Sequence, residues 1–315
     1  MKSELSVNSS VVKKDGFFYK LKQQRVWVLM SLPFIVYVIL LRYLPIGGWI
    51  MAFQNYWPGK SIFDQTWVGF DNFRRLFQDP VFFQVIRNTV AMSAIKLTLG
   101  MFSSIILALI LNEVRNIKFK RITQTISYLP YFVSWVVAAN LIFNAFSVDG
   151  IINEFLMMIN IIDKPIMFLG IPRLFWWVIG STHVWKEVGW GAIVYLAAMT
   201  SINPNLYEAA TIDGASRIQK IRYITLPGIK PVIVILLILN VGQLLNVGFE
   251  QIYLLSNARV IEYSRIFEIF EIDFGLKMMR YSFASAAGIF KSVVSVLLVF
   301  SANYIAKRLD QERLV

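Results

Sequence analysis

Asn203-Pro204-Asn205-Leu206-Tyr207-Glu208-Ala209-Ala210-Thr211-Ile212-Asp213-Gly214-Ala215-Ser216, running on to Ile224-Thr225-Leu226-Pro227, stands between two long apolar segments, where a membrane protein normally carries only a short solvated loop. The residues describe a compact folded device. Asn203 suits a helix N-cap, and Pro204 follows at the first helical position, where its missing N–H costs nothing. Leu206, Tyr207, Ala210 and Thr211 put a small apolar face on a two-turn helix. Ala209 and Ala210 leave no bulk, so another backbone can come close. Gly214 can take a positive φ and turn the chain sharply. A second short helix, Ser216 to Ile224, carries Arg217, Lys220 and Arg222, and Pro227 is expected to break it before the next apolar segment.

Composition sets the frame. Of 315 residues, 57% are hydrophobic and only 16% charged, with a mean hydropathy of +0.59, far from an ordinary soluble domain. The expected product is one polytopic helical membrane domain. The chain has no cysteine and a single histidine, His183. Disulfides, thiolate catalysis and zinc–thiolate sites are thereby excluded, and little scope remains for a histidine metal site. The net charge of +12 could suggest nucleic acid, but its distribution indicates membrane orientation instead.

Six apolar segments, about Trp27–Leu44, Thr89–Leu111, Ile122–Phe143, Leu174–Met199, Val232–Leu255 and Phe283–Ile305, each have a length suited to a bilayer. With the N-terminus inside, segments 1–25, 112–121, 200–231 and 306–315 hold 17 of the 31 Lys and Arg, and the external segments 42–84, 144–173 and 256–281 hold ten. Basic residues favour the cytoplasmic side. Both termini and the Glu208–Pro227 loop are therefore expected in the cytoplasm. The domain reading is a cytoplasmic segment 1–25, a membrane domain 26–308 containing the loop 203–227, and a cytoplasmic tail 309–315. The first external segment is aromatic, with Trp49, Phe53, Tyr56, Trp57, Trp67, Phe70 and Phe73. These suit either an interfacial belt or a docking surface for an external partner.

Glu208-Ala209-Ala210, three residues, Gly214, nine residues, then Ile224-x-Leu226-Pro227 resembles the signature loop of permease subunits in ATP-driven, binding-protein-dependent (ABC) importers. Trp185-Lys186-Glu187-Val188-Gly189-Trp190, Gly248-Phe249-Glu250-Gln251-Ile252 and Gly288-Ile289-Phe290-Lys291-Ser292 look like the branch that imports oligosaccharides and polysaccharide fragments. The resemblance covers roughly residues 26–308. Ile266-Phe267-Glu268-Ile269-Phe270-Glu271 departs from it, being more acidic than is usual there. The resemblance implies an all-α membrane protein of the type I importer permease fold, with about six transmembrane helices. It implies a coupling helix, with Tyr207, Glu208, Ala209, Ala210, Asp213 and Gly214, that docks on a cytoplasmic ATPase. It further implies a second permease, two ATP-binding subunits and an external solute-binding protein. No cofactor is expected on this chain, because ATP and Mg belong to the partner ATPases, and no nucleic acid is expected.

Gly288-Ile289-Phe290-Lys291-Ser292 lacks the second glycine of a phosphate loop, so energy must come from another subunit. Charges inside apolar segments are costly and therefore informative. Lys96, Lys186, Glu187, Glu250 and Lys291 are such charges, and each serves either a pathway or a structural pair. Taken as one helix, Val232–Leu255 carries Gln243, Asn246 and Glu250 at i, i+3 and i+7, within an arc of about 60°. That stripe faces either the substrate pathway or a second permease. Gln243, Asn246, Glu250, Lys186, Glu187, Trp190 and Asn144 are the pathway candidates. For Asn140 and Asn144, interhelical hydrogen bonding is an equal reading. An ion-coupled secondary transporter of a polar solute is the alternative function, and it leaves the Glu-Ala-Ala loop unexplained.

Overall fold

The computed structural model describes residues 23–308. The tail expected at 309–315 and all but the last residues of the segment 1–25 lie outside them. The chain divides into two compact units, Met1–Ile50 and Met51–Val315.

In the first unit a helix begins at Arg25–Val38 with Pro33 inside it, passes through a π turn, Ile39–Tyr43, and tightens into a 3-10 run, Leu44–Phe53, that carries on beyond the unit. The sequence reading ended this span at Leu44, with Arg42 in its last turn. The helical run passes that residue and tightens only near Pro45, whose nitrogen cannot donate to the preceding turn. Its apolar side chains are exposed, Trp27 by 73% and Phe34 by 74%, a surface that only lipid or another apolar surface can cover.

The second unit opens on a two-stranded antiparallel ribbon, Gln54–Asn55 with Thr66–Trp67. Buried Asn72 ties it down by donating to Ala52 O and Gln54 O at 2.9 and 3.0 Å. Phe53, Phe70 and Phe73 of the aromatic external segment pack on one another with centroids 5.4–5.7 Å apart, whereas Trp57 and Trp67 remain exposed. The second span, Pro80–Glu113, is capped by Asp79, which accepts from Val81 N at 2.8 Å. It begins nine residues before the expected Thr89, because its first turns are amphipathic rather than apolar throughout.

Among the described residues four helices are long and apolar enough to cross a membrane: Arg25–Phe53, Pro80–Glu113, Arg217–Gly242 and Tyr281–Arg308. Ile117–Phe132 and Trp135–Ala145 make a fifth as a pair bent by 105°. The third span, read as the single stretch Ile122–Phe143, is thus broken. Pro130 has no N–H to continue the ladder, and Ser134 starts the second half by accepting from Val137 N at 3.3 Å. The fourth span, Pro172–Thr200, has the length but carries His183, Lys186 and Glu187 at its middle.

Two expectations fail after the fourth span. Pro227 does not break the chain: a π turn, Ile221–Thr225, absorbs the missing donor, and one continuous helix runs Arg217–Gly242. The fifth span does not reach Leu255. It stops at Gly242, turns through 243–248, and restarts as the short helix Phe249–Leu255. The short helix Phe267–Phe270 then buries Phe267, Ile269 and Phe270, and its Glu268 pairs with Lys291 of the sixth span at 2.7 Å. That settles Lys291 as a structural pair.

The second and fourth spans make the main helix–helix contact. Met92, Phe175, Ile179 and Ile252 centre one core cluster. Phe82, Phe267, Phe270 and Phe283 centre a second. Leu111, Ala192, Leu196 and Ile229 centre a third, nearest the loop 203–227.

Candidate functional site: a coupling loop and an intramembrane cavity

The loop folds as a pinned pair of helices. Asn203 Oδ1 accepts from Asn205 N at 3.0 Å and starts the helix Pro204–Ile212. Gly214 turns the chain at φ +77°, with Ala215 N donating to Ala210 O at 2.8 Å. Ser216 and Gln219 then cap each other reciprocally and begin the long helix. Side chains join the two pieces. Tyr207 Oη lies 2.9 Å from Thr225 Oγ1, and Lys220 Nζ donates to Thr211 Oγ1 at 2.7 Å.

The apolar face is divided differently from the sequence reading. Tyr207 and Ala210 are half-buried and turn toward their own chain. Ala209 is exposed beside Leu206, Glu208 and Asp213, and Ile212 and Ile218 stand 87% and 77% exposed. Large aliphatic side chains held this far out on a polar loop make an exposed apolar patch. The helical period places Leu206, Ala209 and Ile212 outward, whereas the sequence reading had put Tyr207, Ala210 and Thr211 on one apolar face with Leu206.

The long helix leads from this loop to a cavity of about 560 Å³ in the second unit. Its 26 residues span about 39 Å. Asn240 and Gln243, at its far end, line the cavity together with Asn246 of the following turn. The fourth span contributes His183, Glu187, Trp190 and Val194, spaced i, i+4, i+7 and i+11, one face of a helix. Facing them, the second span contributes Ser93, Lys96, Gly100 and Ser104, and Trp135 completes the wall. His183 Nδ1 is buried with no hydrogen-bond partner among the described residues.

Four of the seven pathway candidates therefore meet: Gln243, Asn246, Glu187 and Trp190. Three do not. Lys186 is buried at 4% exposure and points away from the cavity. Its Nζ donates to Pro130 O and Tyr131 O at 3.3 and 2.7 Å, the carbonyls at the break of the third span. Glu250 does not share a face with Gln243, because the helix between them is interrupted; it is exposed in the first turn of Phe249–Leu255, outside the cavity lining. Asn144 donates to Asn140 Oδ1 at 2.9 Å, within the same helix, and is also outside the lining. The proposed stripe is thus two residues: Gln243, which ends the helix, and Asn246, which donates to Gln243 Oε1 at 2.8 Å.

The cavity wall is aromatic on one side. Trp190 stacks on Tyr131 with centroids 4.6 Å apart and planes 6° from parallel. The Lys186 ammonium lies 5.5 Å from the Tyr131 ring centroid and 5.2 Å from that of Trp135, so one buried cation braces two rings. Flat aromatic faces cover the C–H surface of a sugar ring, and the Asn240, Gln243, Asn246 and Glu187 side chains can hydrogen-bond its hydroxyls. Lys96, which lines the cavity, and Gln251, which it donates to at 2.9 Å, were left off the site by the sequence reading. Lys96 had signalled itself as a charge in an apolar run. Gln251 gave no signal, since on the assumed continuous helix it falls off the polar stripe.

Comparison with known proteins agrees with this architecture. Residues 100–311 match the family model described as "Binding-protein-dependent transport system inner membrane component". Protein LplB of Bacillus subtilis (strain 168) is 41% identical, the alignment covering 93% of this chain and 92% of that one. The polygalacturonan/rhamnogalacturonan transport system permease protein YteP of the same organism is 42% identical over 95% of this chain and 93% of its own. A chain of the bacterial alginate ABC transporter, solved in complex with alginate pentasaccharide-bound periplasmic protein, superposes with a TM-score of 0.86 at 38% identity, covering 95% of this chain and 99% of that one. The chain belongs to the family of binding-protein-dependent transport system inner membrane components, as a membrane-embedded permease subunit of an ABC importer.

Proposed function

We propose that the substrate is an oligosaccharide or polysaccharide fragment, moved by alternating access through the cavity between the second, fourth and fifth spans. The observation that carries this reading is the continuous helix Arg217–Gly242, which starts at the coupling loop and ends in the cavity wall at Asn240 and Gln243. The helix runs unbroken past its π turn, Ile221–Thr225, and past Pro231, so a displacement of the loop is passed along it to the cavity. The aromatic and amide lining suits a sugar, and the relatives named for polygalacturonan/rhamnogalacturonan and for alginate support that substrate class. Leu206, Glu208, Ala209, Ile212 and Asp213 meet the ATPase, while Tyr207, Ala210 and Gly214 shape the helix that does so. One chain supplies one such loop, and a pair of ATPases offers two clefts, so a second permease, related but different, completes the pathway. ATP and Mg²⁺ are bound by the two ATPase subunits, and an external solute-binding protein delivers the substrate.

This arrangement requires both termini and the loop in the cytoplasm of a bacterial cell. The absence of native cysteine makes the test direct. Single cysteines at Ser61 and Asp163, both exposed, are expected to react with an impermeant thiol reagent in intact cells, and one at Ser216 to be protected. Labelling at Ser216 with protection at the other two would put the docking surface outside and end the importer reading.

A further inference from the structure

A helix broken within a membrane frees carbonyl groups that lipid cannot satisfy, and a lysine placed in a membrane span is itself costly. Here the two meet. Lys96 Nζ, on the second span, donates to Val247 O at 2.6 Å and to Gln251 Oε1 at 2.9 Å. Ser93 Oγ, one turn earlier on the same face, donates to Leu244 O. Gln251 is completely buried and passes the tie on to the fourth span. Its Nε2 donates to Ile179 O and to Thr182 Oγ1, both at 2.9 Å.

This network fixes the segment 243–248, which presents Gln243 and Asn246 to the cavity. The same segment closes the helix that starts at the coupling loop. Stability alone does not call for such a network, because well-packed apolar residues on an unbroken helix would hold the spans together at less cost. We propose that Lys96 is a positioning residue for translocation. Its ammonium latches the break in the fifth span to the second span, sets where the Gln243 and Asn246 amides stand, and so governs which oligosaccharide is moved and how closely movement follows ATP hydrolysis. This inference rests on the carbohydrate reading above.

The test uses the whole complex in proteoliposomes, with uptake of short neutral and uronic-acid oligosaccharides measured beside ATP hydrolysis. Lys96→Met is compared with wild type at equal amounts of assembled complex. It should lower uptake per ATP by about tenfold or more, the size of one lost charge-assisted hydrogen bond, and change the order of preference among the oligosaccharides. Lys96→Arg, which keeps a charged donor, should restore part of the loss. Gln251→Leu removes one acceptor and leaves Lys96 and Val247 in place, so it should shift both readouts in the same direction by less. Wild-type uptake and preference in Lys96→Met would overturn the proposal. If that variant does not accumulate, wild-type behaviour of Gln251→Leu overturns it equally. A wild-type complex that moves none of these sugars would instead overturn the substrate assignment, so the two failures are distinct.

Discussion

Gly214→Val is expected to abolish the stimulation of ATP hydrolysis by substrate-loaded binding protein, while the permease still inserts and assembles. Gly214 sits at φ +77°, a region where a β-branched residue is a true outlier. The strain of a left-handed position is about 1–2 kcal/mol, enough to shift a local equilibrium by about five- to thirtyfold. Nothing lies within 4 Å of where a Cβ would stand, so the effect comes from the backbone and not from a collision. What gives way is the angle between the helix Pro204–Ile212 and the helix that starts at Arg217, and with it the direction in which Ile212 and Ala209 face. Gly214→Asn, whose side chain tolerates this conformation, should keep most of the stimulation. Equal, normal stimulation in both variants would remove Gly214 from the coupling mechanism.

Gly189→Ala is expected to prevent assembly of a stable complex or to lower its melting temperature sharply. A Cβ at Gly189 would run into the Ser127 carbonyl of the third span and stand 2.9 Å from Tyr128 Cδ1. The obstacle is backbone, which cannot rotate aside as a side chain can. The fourth span would have to withdraw, and Lys186, less than one turn away, would lose its hold on Tyr131 O at 2.7 Å. Stranding a buried ammonium costs about 3–5 kcal/mol, a large share of any protein's stability. The measurement is the yield and thermal unfolding of the purified complex. A variant as stable as wild type would show that the close approach of the two spans is dispensable.

How much of this was legible in the sequence follows from what each signal encodes. Hydropathy marked where the apolar helices lie, because the bilayer acts on every residue of a span in the same way. Turn chemistry at Asn203, Pro204, Gly214 and Ser216 located the coupling loop, because those residues act through their own backbone. The breaks were not legible. Val232–Leu255 reads as one apolar run, and its interruption after Gly242 depends on Ser93 and Lys96 supplying donors from a helix some 150 positions earlier. Glu250 was therefore assigned to a face that the folded chain does not have. Pro227 misled in the opposite direction, since a π turn lets the helix pass it. Lys186 and Glu187 are neighbours in sequence, and only the packing of the third span separates them into a brace behind the wall and a group on it.

The most direct measurement of the central claim is oligosaccharide uptake into proteoliposomes that contain this chain, its partner permease and two ATPases, with binding protein added on the external side and no ion gradient imposed. The account predicts uptake that requires both ATP and the loaded binding protein. Uptake that proceeds without ATP and follows an imposed proton or sodium gradient would contradict it, and would make the chain the ion-coupled transporter that its coupling loop argues against.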